Sequence, residues 1–537
     1  MDLHREVPAA NDSSQPILLL AFLLFLPLTF LIITVRRRST TNEDGVVASK
    51  LSRRRLPPGP WKLPIIGNIH QLALHPLPHV RLRDLALKHG PLMHLQLGES
   101  SAIVVSSPEI AKEALTTHGA TFSNRPLLAS ARFFTYDFTS LSFTPHGEYW
   151  RQLRKIFNLE LLSSSRVLSF RSIRKEEAAQ AVAGLARAAA ARATVNLKVF
   201  VYEWTSFVTA RTAFGGKTSE DQTGFLTIAD EILREAAGFS LADLFPSRRW
   251  LHRICGKEAT LVDIRRRLDT VLGNIIAEHR SKRVSDDDSG NDVEDFIDVL
   301  LKLQEDGQLD FPFGDDSVKA VIMDVFVGGT DTSSTTVQWA MSELLRNAKT
   351  LRKAQSEVRQ VFGSTGTVEE ARLGELKYLK MVLKESLRLR PTAPLLLPRQ
   401  NSEGCEIDGY HVPANTRVLI NVWAMGRDPK YWVRPDEFDP ERFVDSSLDY
   451  KGANYEFIPF GAGRRMCPGM AFGMANVELQ LASLLYHFNW EMPEENGGSF
   501  EDLDMSENFG VSVKRKRDLC LIPVPYSPSL AANINYP

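Results

Sequence analysis

Between Phe460 and Gly469 the chain reads Phe-Gly-Ala-Gly-Arg-Arg-Met-Cys-Pro-Gly, which frames a single cysteine, Cys467, with glycines and sets two arginines beside it. A thiolate stays ionised only among positive or hydrogen-bond-donating neighbours, and glycines leave the backbone free to turn its N–H groups toward the sulfur. No second cysteine or histidine lies nearby to complete a zinc or iron–sulfur set. A metal held through this one sulfur must take its other ligands from elsewhere, and a haem ring supplying four nitrogens fits. By itself the segment also suits a structural cysteine in a Gly-rich turn.

The chain has 537 residues, 43% of them hydrophobic and 24% charged, enough to bury a large core. No internal repeat and no long Gly/Ser linker divides it. A formal net charge of -1 gives no reason to expect nucleic acid. Cys255, Cys405, Cys467 and Cys520 are too few and too scattered for a disulfide framework, which places the folded part in a reducing compartment.

From Ile17 to Val35 no charged residue interrupts a run of nineteen, mostly Leu, Ile and Phe, that nearly spans a hydrocarbon core as a helix. Arg36, Arg37 and Arg38 follow at once, so the positive-inside rule puts the C-terminal bulk in the cytosol and residues 1–16 in the lumen. A cleaved signal peptide would carry its charges before the apolar core, not after it. Residues 36–68 form a basic and polar linker that ends in a Pro-rich hinge, where Pro57-Pro58-Gly59-Pro60 reads as a stiff elbow or an ordinary Pro-rich linker.

Composition between Ser163 and Leu301 shifts to Ala, Arg, Glu and Leu, as helices joined by short loops show, with Asp286-Asp287-Asp288 as a solvated loop. Segments from Met93 to Val105 and from Arg417 to Val422 are strand-prone and predict small peripheral sheets.

Two further patterns carry chemistry. Gly328-Gly329-Thr330-Asp331-Thr332-Ser333 lies within an apolar stretch of helical spacing from Val318 to Leu345. Mid-helix glycines cost about 1 kcal/mol each relative to alanine, and their loss of side chain opens a helix face to a flat ligand. A threonine hydroxyl there can hydrogen-bond dioxygen, and a carboxylate can pass protons inward; a plain helix kink with a capping Thr is the alternative. In Glu385-Ser386-Leu387-Arg388, the three-residue spacing places an ion pair on one face of a helix that Leu383, Leu387 and Leu389 turn inward, so the charges need a further partner.

Phe460-x-x-Gly463-x-Arg465-x-Cys467-x-Gly469 resembles the haem-binding signature of the cytochrome P450 family, and the other patterns follow in that family's order over the whole chain after the anchor. Pro459 to Arg465 and Pro440-Glu441-Arg442-Phe443 are similar to the plant A-type group, although Gly328 stands where that group often has Ala. The resemblance implies a mainly α fold with small β-sheets, haem b buried between two long helices, and one catalytic domain over residues 69–537. It implies Cys467 as the iron ligand and Phe460 and Gly463 as parts of its loop. It also implies Trp150, Arg154, Arg399 and Arg465 as haem-propionate partners, Asp331 and Thr332 as the catalytic acid–alcohol pair, and Arg442 as the completion of the Glu385–Arg388 network. Arg154, one helical turn from Trp150, would by itself read as a surface residue. Pro57 to Pro60 would orient the domain against the membrane.

The chemistry implied is insertion of one oxygen atom from O2 into a hydrophobic molecule, such as a terpenoid, at the endoplasmic reticulum membrane. The two electrons come from NADPH–cytochrome P450 reductase, docking on the cysteine side, since the chain offers no strong flavin or nicotinamide fingerprint. Substrate contacts are expected from Ser123 to Phe143, Phe200 to Phe245, Val325, Gly329, Ala393 to Leu397 and Phe509 to Val511. Rival functions are a reductase-independent isomerase or dehydratase, a hydroxylase of phenolic, indole or fatty-acid substrates, and a haem sensor.

Overall fold

The computed structural model describes residues 55–215, 220–236, 241–248, 257–284, 294–307, 309–494 and 499–526. The expected anchor at 17–35, the lumenal residues before it, the linker up to residue 54, Cys255 and the Asp286–Asp288 run lie outside these. No helix among the described residues is long and apolar enough to cross a membrane.

The body is helical. Its main helices are α1 (Glu148–Lys155), α2 (Arg171–Ala190), α3 (Leu197–Phe214), α4 (Glu220–Ala236), α5 (Lys257–Val284), α6 (Asp315–Arg346), α7 (Ala348–Phe362), α8 (Lys377–Leu389) and α9 (Met470–His487). The axis is α6, whose 32 residues extend about 48 Å at helical rise. Asp315 and Asp316 in its first turn and Arg346 in its last complement the helix dipole, and its two mid-helix glycines leave it unbroken. Helix α6 packs along α3 and α9, and apolar side chains from both of its ends feed two large cores. Each fully buried Leu, Ile or Phe in them contributes on the order of 1.5–3 kcal/mol.

The strand-prone segments pair as expected. Strands β1 (Leu92–Leu97), β2 (Ser100–Val105), β3 (Arg399–Gln400) and β4 (Arg417–Ile420) form one sheet in the order β1-β2-β4-β3. Residue Arg399 pairs with Val418, so β3 fixes the arginine that follows Pro398. A hairpin of β5 (Glu507–Asn508) and β6 (Lys514–Arg515) carries Phe509 to Val511 at its tip. The Trp339 indole pins it to α6 by donating to the Val513 carbonyl at 2.9 Å.

Pro57 to Pro60 lie against the body. His94 N–H donates to the Pro58 carbonyl at 2.8 Å, the Asn68 amide donates to the carbonyls of Pro60 and Trp61, and a Cβ on Gly59 would fall 2.1 Å from the His94 carbonyl oxygen. Arg55 is tied in as well, through its carbonyl and His411 N–H.

Candidate functional site: a cysteine loop facing an opened helix

The loop before α9 is closed by backbone. Cys467 N–H donates to the Phe460 carbonyl at 3.0 Å, Met466 to Gly463 at 3.1 Å and Gly461 to Ile458 at 2.9 Å. Gly461 and Gly463 hold φ of 71° and 68°, and a Cβ on Gly463 would meet the Leu115 carbonyl oxygen at 2.5 Å, so no other residue fits there. The Phe460 ring packs on Tyr450, centroids 5.4 Å apart. Three residues past Cys467 the first turn of α9 begins, aiming a positive helix end at the sulfur.

Burial pushes the Cys467 thiol up, opposed by a backbone hydrogen bond from Gly469 and by the Arg154 charge. Yet Cys467 keeps ample accessible surface. A group both desolvated and accessible borders an internal cavity. Helix α6 shows the same pairing at Asp324, whose carboxyl burial pushes up to about 6 although the residue keeps accessible surface. Asp324, Gly328 and Thr332 recur every four residues and share one helix face. None of the three is fully buried, and a Cβ on Gly328 would touch nothing within 4 Å.

Around the cavity stand buried arginines that have no matching set of carboxylates among the described residues. Arg125, Arg399 and Arg465 are each below a tenth exposed. Arg465 spends its Nε, Nη1 and Nη2 on the carbonyls of Ser123, Leu141 and Thr144 at 2.6–2.9 Å, and its guanidinium lies 4.5 Å from the Trp150 ring centre. Arg125 donates to the carbonyls of Ser142, Leu397 and Pro398, and Arg399 to that of Ala462. Burial lowers all three, Arg399 to about 10, Arg465 to about 9 and Arg125 well below its usual value; the Arg399 charge pushes Arg125 and Arg465 down further, and Asp324 is the carboxylate acting on both of them in the other direction. The Nη1 of Arg399 and the Nε1 of Trp150 are buried without a partner. Such a cluster calls for an anionic occupant with hydrogen-bond acceptors. The two carboxylates of a haem, with Cys467 beneath the ring, meet that need.

The expected residues are thus brought together, with differences in detail. Arg154 donates to the Met466 carbonyl at 2.7 Å and acts on Cys467 as well as on Arg465. Arg125 was missed as a cationic partner; its segment, Ser123-Asn124-Arg125-Pro126, carries no local signal beyond the charge itself. Thr332 donates its hydroxyl proton to the Gly328 carbonyl at 2.6 Å. Asp331 is 1% exposed and lies 2.5 Å from the Lys514 ammonium on β6. The glycine that opens the cavity is Gly328; a Cβ on Gly329 would meet Phe472 of α9 at 3.3 Å and Thr209 of α3 at 3.5 Å, so Gly329 serves helix packing and not substrate contact. Val325 likewise lies in the core. The stretch from Phe200 to Phe214 belongs to α3, where Val201, Trp204 and Val208 pack with Val337, Ala340 and Met341 of α6.

Behind the loop the Glu385–Arg388 network is complete and its ion pair is buried. Arg388 grips Glu385 through two 2.7 Å bonds and donates to the carbonyls of Gly426, Pro435 and Glu437, while Arg442 Nε and Asp439 N–H reach the same carboxylate at 2.9 and 2.8 Å. Neither side chain of the pair is exposed.

A helical body with one cysteine at a helix start, buried cations and a cavity roofed by an opened helix defines a haem-thiolate protein. The cytochrome P450 family profile matches residues 57–520. Desmethyl-deoxy-podophyllotoxin synthase of Sinopodophyllum hexandrum is 50% identical over 87% of this chain and 92% of its own. Premnaspirodiene oxygenase of Hyoscyamus muticus is 46% identical over 95% and 99%, and tabersonine 3-oxygenase of Catharanthus roseus 49% over 88% and 93%. A zebra fish cytochrome P450 solved with progesterone superposes with a TM-score of 0.70 at 25% identity, covering 84% of this chain and all of the other. The chain belongs to the cytochrome P450 family, in its plant A-type group, and is a monooxygenase that uses haem held by a cysteine thiolate.

Proposed function

We propose that this monooxygenase inserts one oxygen atom from O2 into a hydrophobic plant specialised metabolite, a terpenoid first among the classes to test, with electrons from NADPH–cytochrome P450 reductase. The observation that carries it is the buried arginine cluster beside Cys467, with Nη1 of Arg399 left without a partner among the described residues, facing the glycine-opened stretch of α6. Relatives named for oxygenation of premnaspirodiene and of tabersonine support a specialised metabolite, and their different substrates are consistent with a choice of molecule made by the cavity lining. Residues 17–35 anchor the enzyme in the endoplasmic reticulum membrane, with 1–16 in the lumen, 36–68 as linker and hinge, and 69–537 as the cytosolic catalytic domain.

Cys467 is the iron ligand, and Phe460 and Gly463 hold its loop. Arg125, Arg399, Arg465 and Trp150 take the propionates, while Arg154 keeps the thiolate ionised by charge. Haem with a thiolate ligand supplies the oxidising chemistry, because the sulfur pushes electron density toward iron and favours O–O cleavage. Thr332 Oγ1, its proton committed to the Gly328 carbonyl, offers a lone pair to the cavity. Asp331 is the proton relay: its carboxylate, ion-paired with Lys514, whose side chain keeps 27% of its surface exposed, takes a proton from the solvent side and passes it inward. Microsomes carrying the chain and a reductase, fed terpenes and phenolics with NADPH, should yield a product heavier by one oxygen atom. Turnover of a fed hydroperoxide without NADPH, to a product of equal mass or lighter by one water, would instead mark an isomerase or dehydratase.

A further inference from the structure

Asp324 is a carboxylate that the oxygenation chemistry just described leaves unused. It sits one turn before Gly328 on the cavity face of α6, and both of its oxygens are engaged by one residue: Ser142 N–H donates to Oδ2 at 3.0 Å and Ser142 Oγ donates to Oδ1. The Ser140 hydroxyl bonds that of Ser142 at 3.0 Å. The same short segment supplies the carbonyls that orient the arginines. Ser142 accepts from Arg125 Nε at 2.9 Å, Leu141 from Arg465 Nη1 at 2.9 Å and Thr144 from Arg465 Nη2 at 2.6 Å. The groups facing the carboxylate are Arg125 and Arg465, both held toward the charged form by it, and Tyr149 of α1, a neutral phenol whose hydroxyl donates to the Thr139 carbonyl and accepts from the Ser317 hydroxyl.

We propose that Asp324 is a positioning residue for the haem: it clasps the Ser140–Thr144 segment to α6, aims Arg125 and Arg465 at the propionate edge, and sets the electrostatic field at iron. This rests on the haem reading of the site. A clasp alone would not call for a charge. Ordinary aspartate ionises near 3.8, whereas burial carries Asp324 to about 6 against the pull of hydrogen bonds from Ser142, from the Leu141 backbone and from the Ser140 hydroxyl. The folded state therefore binds this proton more tightly than the unfolded one. Keeping the carboxylate ionised at neutral pH costs stability, and the cost fades as pH falls through about 6 toward 3.8. What the ionised form provides in return is a negative charge beside two arginines.

The test is the ferric/ferrous midpoint potential of substrate-free holoenzyme between pH 9 and 5, with the reduced carbon monoxide spectrum as a control. A sulfur-type spectrum establishes the haem reading separately; its absence in wild type sinks that reading before the potential is considered. In wild type the potential should rise in a step at about 6 or above as pH falls, because neutralising a nearby anion favours the extra electron on iron, and anionic propionates push a neighbouring carboxyl further up. Asp324→Asn should abolish the step and hold the potential at the acid-side wild-type value. Ser142→Ala keeps the charge but loses a hydrogen bond to it, so its step should persist and move to higher pH. A flat wild-type profile, an Asp324→Asn profile with the same step, or a Ser142→Ala step that does not move overturns the proposal. If Asp324→Asn fails to fold, the direction of the Ser142→Ala shift decides alone.

Discussion

The two walls of the cavity are built on opposite principles. On the cysteine side nearly everything is fixed by backbone: three loop hydrogen bonds, two left-handed glycines and a carbonyl that forbids any Cβ at Gly463. On the α6 side the backbone is plain helix, and what differs from a bland helix is side-chain chemistry: an absent Cβ at Gly328, a hydroxyl bonded back to its own helix, and two carboxylates held by Lys514 and Ser142. A backbone-built wall tolerates almost no substitution. A side-chain-built wall can be retuned residue by residue, which is where a family that acts on many molecules has room to vary.

The sharpest way to break this contrast is at Cys467. Cys467→Ala should leave a body that folds, because α9 and the loop hydrogen bonds do not depend on the sulfur, but one that lacks the red-shifted reduced carbon monoxide band and all oxygenation; a variant that keeps both would end the comparison at once. Next in size is Glu385→Ala. It strands Arg388 and Arg442, one of them with no exposed side-chain surface, and removing one partner of a buried pair costs about 3–5 kcal/mol. Holoprotein yield and thermal unfolding should both collapse, whereas an exposed pair of the Arg434–Glu437 kind, half open to water, should be removable with less than about 1 kcal/mol lost.

The same contrast explains what was legible in the sequence. The cysteine loop could be read outright, since a glycine needed for φ near 70° and a lone sulfur are local facts. The Glu385–Arg388 spacing was equally local, and the third partner, Arg442, came from the family resemblance. On α6 the pattern Gly328-Gly329 announced an opening but not its direction, because neighbours in a helix point about 100° apart and only the packing of Phe472 and Thr209 shows which glycine is the spacer. Asp324 and Arg125 were invisible for a related reason: their partners, Ser142 and the carbonyls of Leu397 and Pro398, are distant in sequence and meet them only in the fold. The β1–β2 hairpin was legible because its two apolar runs pair locally, whereas the joining of β4 to β2 from far along the chain shows only in the fold; within the expected substrate-contact stretch from Phe200 to Phe245, the part in α3 packs in the core, and a buried helix and a cavity-lining one have the same composition.

Thr332→Val tests the side-chain wall without touching the backbone. Valine keeps the shape and forfeits the hydroxyl, so haem binding and its spectrum should be unchanged while product formed per NADPH consumed falls on the order of tenfold or more, the range over which a positioned proton-handling group acts. Unchanged coupling would reduce Thr332 to its bond with the Gly328 carbonyl, the kink-and-cap alternative the sequence left open.

The finest test separates the two glycines. Gly329→Ala places a methyl 3.3 Å from Phe472 and 3.5 Å from Thr209, contacts tight enough that α9 or α3 must give slightly, which works against the roughly 1 kcal/mol that alanine gains over glycine in a helix. Gly328→Ala meets nothing within 4 Å and so keeps that gain in full, but spends the space the cavity needs. Thermal unfolding should therefore rank Gly328→Ala above wild type by about one degree and Gly329→Ala no higher than wild type, while binding of a bulky azole, read from its iron-ligation spectrum, weakens for Gly328→Ala alone. A reversed ranking in both measurements would mean that Gly329 lines the cavity after all, and that the two walls are not divided between backbone and side chain in the way drawn above.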